Sequence, residues 1–105
     1  TQVGNDIIGN VYVGKFGMRV ALSGNGNRVV ASSNKGVSYI YDLVNSAWTL
    51  RSTITNTGTT SEIWQSVSIN HDGSIVAIGS SYHTITNGNK EGSVRVYNVA
   101  SDGTT

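Results

Sequence analysis

Few residues in this chain are of the types that perform catalysis. The sequence contains six acidic residues, two histidines and no cysteine. His71 and Asp72 are adjacent in a predicted hairpin turn, where neighbouring side chains usually point apart into solvent, and His83 has no acidic residue nearby. Ser23 lies in Leu-Ser-Gly-Asn-Gly, which lacks the strand, sharp turn and helix that surround a nucleophilic serine. We therefore expect a protein without enzymatic activity, without catalytic residues and without a cofactor.

Two other groups of residues point to glycans: one could bind a sugar, and the other could carry O-linked sugars. Trp64 and Tyr82 have aromatic faces on which a sugar ring can stack, with amides at Asn87 and Asn89 to bind hydroxyl groups; the alternative is that the two rings pack inside the fold. The segment Ser52–Ser61 has seven hydroxyl side chains in ten residues, which is typical of a solvated linker. The candidate O-glycosylation sites in this segment are Thr55, Thr57, Thr59 and Thr60.

The charge and hydropathy of the chain exclude two classes of partner. The net charge is +1 and only 12% of the residues are charged, so the sequence has no basic surface for nucleic acid. No apolar run approaches the roughly 18 residues of a membrane span, and the first residues have neither the basic nor the apolar region of a signal peptide. We expect no nucleic-acid binding and no membrane insertion, with any secretion signal outside this segment.

The elements that must position these residues are β-strands. Valine and isoleucine together supply 22 residues, whereas leucine supplies three and glutamate two. β-branched side chains lose rotamer freedom in a helix and pack well on a pleated sheet. Glycine, serine, threonine and asparagine account for 49 of the 105 residues, which indicates many turns. The composition predicts an all-β fold.

The chain contains two copies of one unit. Residues 17–33 align with residues 64–80 at an offset of 47, and residues 36–42 align with residues 92–98 at an offset of 56. The second copy therefore has nine extra residues around 81–89, which predict a longer surface loop. Matched residues include Val20 with Val67, Gly26 with Gly73, Val29 with Val76, and Tyr41 with Tyr97.

Both copies predict the same order of antiparallel strands. Each first turn contains Asn-Gly or Asp-Gly, which favours a tight hairpin. Continuous apolar runs such as Ile75–Ile78 indicate strands covered on both faces, as in stacked small sheets. The predicted strands are 19–23, 28–32, 37–43 and 48–55 in the first copy, and 65–70, 75–79 and 93–99 in the second.

The repeated residues also resemble those of known propeller blades. Phe16–Gly26, with Phe-Gly-x-x-Val-Ala-Leu-Ser-Gly-Asn-Gly, resembles the opening of FG-GAP-like repeats, and Gly36–Tyr41 continues the pattern. In the second copy, Asn70–Gly73 and Gly92–Tyr97 are similar to WD40-type blades, although Ile63-Trp64 stands where Phe-Gly is expected. The resemblance covers most of residues 15–105 and implies four-stranded propeller-type blades. It implies no particular function, because propellers include enzymes, lectins and scaffolds.

Some FG-GAP blades bind calcium through an Asp-x-Asp-x-Asp-Gly loop, which raises the question of a metal site. Calcium takes about six to eight oxygen ligands, several of them from carboxylates. The corresponding turns at residues 23–27 and 70–73 provide no carboxylate and one carboxylate, respectively. We therefore expect no metal.

The second copy lacks a fourth strand, and the first residues of the chain predict one. Thr1–Ile7 is similar to the fourth strand of the first copy without its Trp48. We therefore divide the chain into an N-terminal strand donated to an adjacent blade (1–14), blade 1 (15–61) and blade 2 (62–105), whose fourth strand comes from a neighbouring chain or repeat. The donated residues are Val3, Ile7, Ile8 and Val11. The receiving edge comprises Val94, Val96 and Tyr97.

Two blades cannot close a ring, because propellers have about four to eight. The remaining arrangements are a ring of several chains, an open filament, or one period of a longer tandem polypeptide. The sequence thus favours a non-catalytic structural protein that assembles with itself by head-to-tail strand exchange into an extracellular or cell-surface filament or ring. The alternative is a carbohydrate-binding or adhesion propeller whose partners are glycans.

Overall fold

The computed structural model describes residues 1–9, 15–33, 36–55, 65–80 and 92–99. Within these ranges the regular structure consists of seven β-strands and no helix. All fourteen strand ends lie within one residue of the predicted bounds, so the predicted all-β fold is confirmed. The strands are β1 (Val20–Leu22), β2 (Arg28–Ser32), β3 (Val37–Val44), β4 (Ala47–Thr55), β5 (Gln65–Ile69), β6 (Ile75–Ser80) and β7 (Ser93–Asn98).

The strands form two antiparallel sheets, one for each sequence repeat. The first sheet has four strands in the order β1-β2-β3-β4, and the second has three in the order β5-β6-β7. Each strand pairs with the one that follows it in its sheet, as in a simple meander. Over the described ranges, the two sheets form neither a closed barrel nor a closed propeller ring.

The same residue pairing recurs in the two sheets at the two sequence offsets. Val29 pairs with Tyr41 in the first sheet, and the corresponding Val76 pairs with Tyr97 in the second. Every partner in the β1–β2 ladder likewise has its counterpart in the β5–β6 ladder, shifted by 47 residues. The sequence repeat is therefore a structural repeat with identical register in three strands of each sheet.

Turn chemistry fixes this register. Gly26 and Gly73 occupy the same place in the first turn of each copy, with φ of 78° and 79°, a conformation that glycine adopts without steric cost. The β3–β4 hairpin turns at Asn45 and Ser46, whose φ values of 49° and 66° are both positive, as the tightest two-residue hairpin requires. Tight turns leave no slack, so each strand meets its neighbour in one register.

The two sheets pack face to face around one apolar cluster. We call the face that each sheet turns toward the other its inner face, and the opposite face its outer face. Val30, Ile40 and Val76 are completely buried between the inner faces, and burial of each such side chain stabilises the fold by about 1.5–3 kcal/mol. The whole buried cluster comprises Val30, Ile40 and Ile54 from the first sheet and Val76, Ile78 and Val99 from the second.

A break in the β3–β4 ladder brings Arg51 to the inner face. Ile40 pairs with Ser52 and Tyr41 pairs with Leu50, so Arg51 has no opposite residue. An extra residue of this kind is a β-bulge, which redirects side chains relative to the regular alternation. The Arg51 side chain lies beside Asp42 on the inner face.

The predicted linker over Ser52–Ser61 overlaps the predicted strand 48–55, and for the first four residues the linker prediction is wrong and the strand is confirmed. Ser52 to Thr55 continue β4, and Ile54 is buried in the inter-sheet cluster. β4 needs these residues because it must extend along the whole of β3, as far as the pair between Val37 and Thr55. The remainder of the segment lies outside the described residues.

The inner-face cluster predicts where stability resides. Replacing Ile40→Ala removes a fully buried side chain at the centre of the cluster, which costs about 2–5 kcal/mol of unfolding free energy. The matched control is Val44→Ala in the same strand, where the residue is 49% exposed and outside the buried cluster, and we expect a change of about 0.5 kcal/mol or less. Urea unfolding followed by circular dichroism measures both, and equal losses in the two variants would contradict this account of the core.

Candidate functional site

The polar residues that resemble catalytic groups are used to build turns. Ser23 Oγ donates a hydrogen bond to Asn25 Oδ1 at 2.8 Å and accepts one from the Arg28 backbone N–H at 3.1 Å. Asp72 accepts hydrogen bonds from the backbone N–H and the hydroxyl of Ser74. The hydroxyl bond first, and then the backbone bond, hold the pKa of Asp72 below its usual value. These contacts give both side chains a structural role.

The described residues bring no metal-ligand set together. His71 lies exposed in the β5–β6 turn, and its backbone carbonyl accepts a hydrogen bond from Asn25 N–H at 2.9 Å. No three histidine, aspartate or glutamate side chains of the described ranges lie close enough to one another to hold an ion. His83 lies outside those ranges.

The predicted receiving edge lies on β7, at the end of the second sheet. Among the described strands, β7 pairs with β6 alone. Val99 N–H points to β6, where it donates to the Ser74 carbonyl at 2.8 Å. Backbone groups alternate in direction along an antiparallel strand, so the N–H and C=O groups of Val94 and Val96 point away from β6. In the first sheet, the corresponding side of β3 is occupied by β4.

The structure separates the three residues predicted for this edge. Val94 and Val96 are 73% and 66% exposed and lie on the outer face of the second sheet. Tyr97 alternates with them, so its ring lies on the inner face and packs against the buried cluster. The edge therefore offers two exposed valines and backbone groups that no other described strand pairs with, whereas Tyr97 packs against the core.

The N-terminal segment, residues 1–9, lies against the start of β4 without forming a strand. The Trp48 indole N–H donates to the Val3 carbonyl at 3.0 Å, and the Trp48 backbone N–H donates to Asn5 Oδ1 at 2.8 Å. A side chain at Gly4 would meet the indole, because a Cβ there would lie 2.8 Å from its Cδ1. These contacts dock the segment on the outer edge of the first sheet.

The contact with Trp48 buries little of the apolar side chains of this segment. Val3 is 61% exposed and Ile8 is 79% exposed, whereas Ile7 is half-buried. Val11 lies outside the described residues. Exposed apolar side chains beside a docked backbone leave apolar surface that contact with another chain can bury.

The other predicted sites fall almost entirely outside the described part of the chain. The residues predicted for glycan contact, namely Trp64, Tyr82, Asn87 and Asn89, all lie there. The same holds for the candidate O-glycosylation sites Thr57, Thr59 and Thr60. Thr55 is described and is exposed at the end of β4. Glycan binding and glycosylation therefore stay predictions.

A charged cluster between the sheets was not predicted from the sequence. Arg28 binds Asp42 through two hydrogen bonds, Nε to Oδ1 at 2.5 Å and Nη2 to Oδ2 at 3.1 Å. Arg51 Nη1 donates to the same Oδ2 at 2.7 Å, and Arg28 Nη1 donates to the Gly73 carbonyl at 2.6 Å. Arg28 therefore ties the first sheet to the β5–β6 turn of the second.

The pKa of Asp42 is lowered by its arginine partners. Burial acts in the opposite direction and is the largest influence, but the hydrogen bond and charge of Arg28, followed by those of Arg51, together outweigh it. The sequence contains one clue to this cluster: Arg28 and Asp42 are cross-strand partners, and opposite charges in such positions attract. The bulge that adds Arg51 gives no comparable signal in the sequence.

An apolar helix able to cross a membrane is not found among the described residues. Comparison of the chain with protein families, curated proteins and solved structures finds no match. The resemblance to FG-GAP-like and WD40-type blades therefore stays a prediction that rests on the residues quoted above.

The charged cluster predicts a dependence of stability on pH. Because the folded pKa of Asp42 lies below the unfolded value of about 3.9, its ionised form stabilises the fold above that pH, and the contribution is lost as the pH falls through the folded pKa. We expect Asp42→Asn to lose about 1–3 kcal/mol of unfolding free energy at pH 7. The difference from the native protein should shrink steadily below about pH 4.

Denaturant unfolding at several pH values measures this difference. The control is Asp6→Asn, which changes an exposed carboxylate of the N-terminal segment and should alter stability by about 0.5 kcal/mol or less at pH 7. A deficit in Asp42→Asn that stays constant down to pH 2 would show that the carboxylate charge is not what stabilises the cluster.

Proposed function

We propose that the protein is a non-catalytic structural subunit that assembles with itself, head to tail, into a filament or ring at the cell surface or outside the cell. In this assembly the N-terminal segment of one chain, including Val3, Ile7 and Ile8, forms the fourth strand of the second sheet of its neighbour. The observation that carries the proposal is that no other described strand pairs with the far side of β7, which corresponds to the side of β3 that β4 covers.

The chemistry of the edge supports strand addition. An uncovered strand edge presents a row of backbone donors and acceptors that pair readily with another extended chain. β7 has six residues and contains no proline, and its exposed side chains include Val94 and Val96. Exposed edges that avoid pairing usually have charges or prolines along them, and Arg95 is the one charged residue in this strand.

The character of the N-terminal segment supports its role as donor. Its apolar side chains are mostly exposed, and its contact with Trp48 includes two hydrogen bonds at the surface and the close approach of Gly4 to the indole. Exposed hydrogen bonds contribute little net free energy, since water replaces them when they break. Release from Trp48 and pairing with a neighbour would exchange these two bonds for a strand ladder and bury Ile7 or Ile8.

Donation from one chain to the next is a heterologous contact, since donor and acceptor are different surfaces. Such contacts repeat until a ring closes or, when the rotation does not close, extend into a helical filament. The proposal therefore predicts assemblies with one N-terminal strand for each receiving edge, with no protein besides this chain required.

Competition by a peptide tests the donor. A synthetic peptide of residues 1–13 should occupy the free edge of β7 and prevent chain-to-chain donation in the full-length protein. We expect loss of assembly by light scattering and electron microscopy as the peptide is added in excess, whereas a peptide of the same composition in scrambled order should have no effect. Protein that remains monomeric at high concentration without any peptide, with residues 1–9 open to proteases, would refute the proposed function.

A single backbone change tests the acceptor. Val96→Pro removes an N–H that points away from β6, so the β6–β7 ladder keeps its hydrogen bonds while an incoming strand loses one. We expect this variant to fold but to assemble poorly, as measured by sedimentation. Val96→Thr keeps the N–H and the branched shape and should assemble normally; equal assembly of the two variants would exclude this edge as the acceptor.

A further inference from the structure

Both outer faces of the two-sheet unit present apolar side chains to solvent. On the first sheet, Val20 and Leu22 are 64% and 58% exposed. Beside them lie Tyr39 and Tyr41, which are half-buried and contact the ring of Phe16 edge to face at 5.5 and 6.4 Å between centroids. On the second sheet the outer face bears the exposed valines of β7. Each face is a candidate contact surface.

The repeat relates these two faces to the contact already present inside the chain. Val20, Leu22 and Val29 on the outer face of the first sheet correspond to Val67, Ile69 and Val76 on the inner face of the second. The latter three pack against the first sheet. The outer face of the first sheet is therefore the repeat equivalent of a surface that is covered by a sheet.

The same holds for the outer face of the second sheet. Its residues Ala77 and Val96 correspond to Val30 and Ile40, the two fully buried apolar residues of the first sheet's inner face. The two outer faces are thus the two halves of the internal contact, one at each end of the unit. The outer face of the first sheet in one chain therefore matches the outer face of the second sheet in another chain.

A polar pair of the internal contact is replaced on the two outer faces by two apolar residues. Inside the chain, Ser38 Oγ donates to Gln65 Oε1 at 2.5 Å between the inner faces. The repeat equivalents of this pair are Val94 and Met18, which are both apolar. A polar side chain facing an apolar one would lose its hydrogen bond, so the joint change keeps the two faces compatible.

At the position of Arg28 only one partner changes, because the equivalent of Gly73 is again a glycine, Gly26. Arg28 donates to the Gly73 carbonyl within the chain, and its equivalent on the outer face of the second sheet is Ile75. Ile75 is exposed in the single chain and has no charge that needs a partner. The version of the contact available between chains is therefore more apolar than the internal one, as suits surfaces that must associate from solution.

We propose that a second copy of this chain docks on the outer face of the first sheet, using the outer face of its second sheet, with the geometry of the contact between the two sheets inside one chain. In this arrangement Val94 of one copy lies against Met18 of the next. The proposal rests on the proposed self-assembly but uses sheet faces, whereas strand exchange uses the β7 edge.

Cross-linking of two single-cysteine variants tests this contact, because the chain has no cysteine of its own. Val94→Cys and Met18→Cys chains are mixed and treated with a short bis-maleimide. We expect a covalent dimer from the mixture and no covalent dimer when either variant is treated alone. The control mixture pairs Val94→Cys with Val44→Cys, which is exposed at the end of β3 but not on the outer face, and should give no dimer. Circular dichroism checks that each variant is folded.

Repeating the reaction with excess peptide of residues 1–13 separates face docking from strand exchange. A covalent dimer that forms both in the presence and in the absence of the peptide supports the docking of faces. Absence of the dimer while fibres or rings form and the peptide dissolves them would overturn the docking proposal and leave the proposed function standing. Absence of both the dimer and any assembly would overturn both proposals.

Discussion

The structure depends on one contact, the packing of the inner face of the four-stranded sheet on the inner face of the three-stranded sheet. A small antiparallel sheet is stable only when an apolar face is covered, and neither sheet has a helix in the described residues to do so. Val30 and Ile40 supply that cover from one side, and Val76 and Ile78 from the other. Each repeat is therefore stable because of the other, as is typical of proteins built from stacked units.

Polar groups at the margin of this contact determine how the sheets are placed on each other. Apolar packing alone tolerates sliding, whereas a buried polar group must meet its partner or lose free energy. Gln65 meets the Ser38 hydroxyl, and Arg28 meets the Gly73 carbonyl while Asp42 neutralises its charge. A positive φ at Gly73 and the absence of a side chain there let the arginine approach, since a Cβ would lie 3.0 Å from Arg28 Cδ.

Local patterns in the sequence were enough to predict the seven strands and the repeat register. Asn-Gly, Asp-Gly and Asn-Ser turns are local signals, and runs of β-branched residues between them admit one pairing. The features that were not predicted depend on residues distant in sequence. The docking of Val3 on Trp48 joins positions 45 residues apart, and the Arg28 contact with Gly73 does the same across the two sheets. The inner or outer position of Tyr97 likewise required knowing which face of its sheet is covered.

The proposed edge contact and the proposed face contact follow from one spatial relation between repeats. Inside the chain, β4 completes the first sheet and the chain then continues into the second sheet, which covers the inner face of the first. The N-terminal segment precedes β1 as β4 precedes β5. A neighbour whose segment completes the second sheet at β7 would therefore continue into its own first sheet at the outer face beside that strand, which is the equivalent of the inner face covered within the chain. In the proposed assembly, edge donation and face docking would therefore select the same neighbour in the same orientation, and each new chain would repeat the step that relates the two sheets of the last.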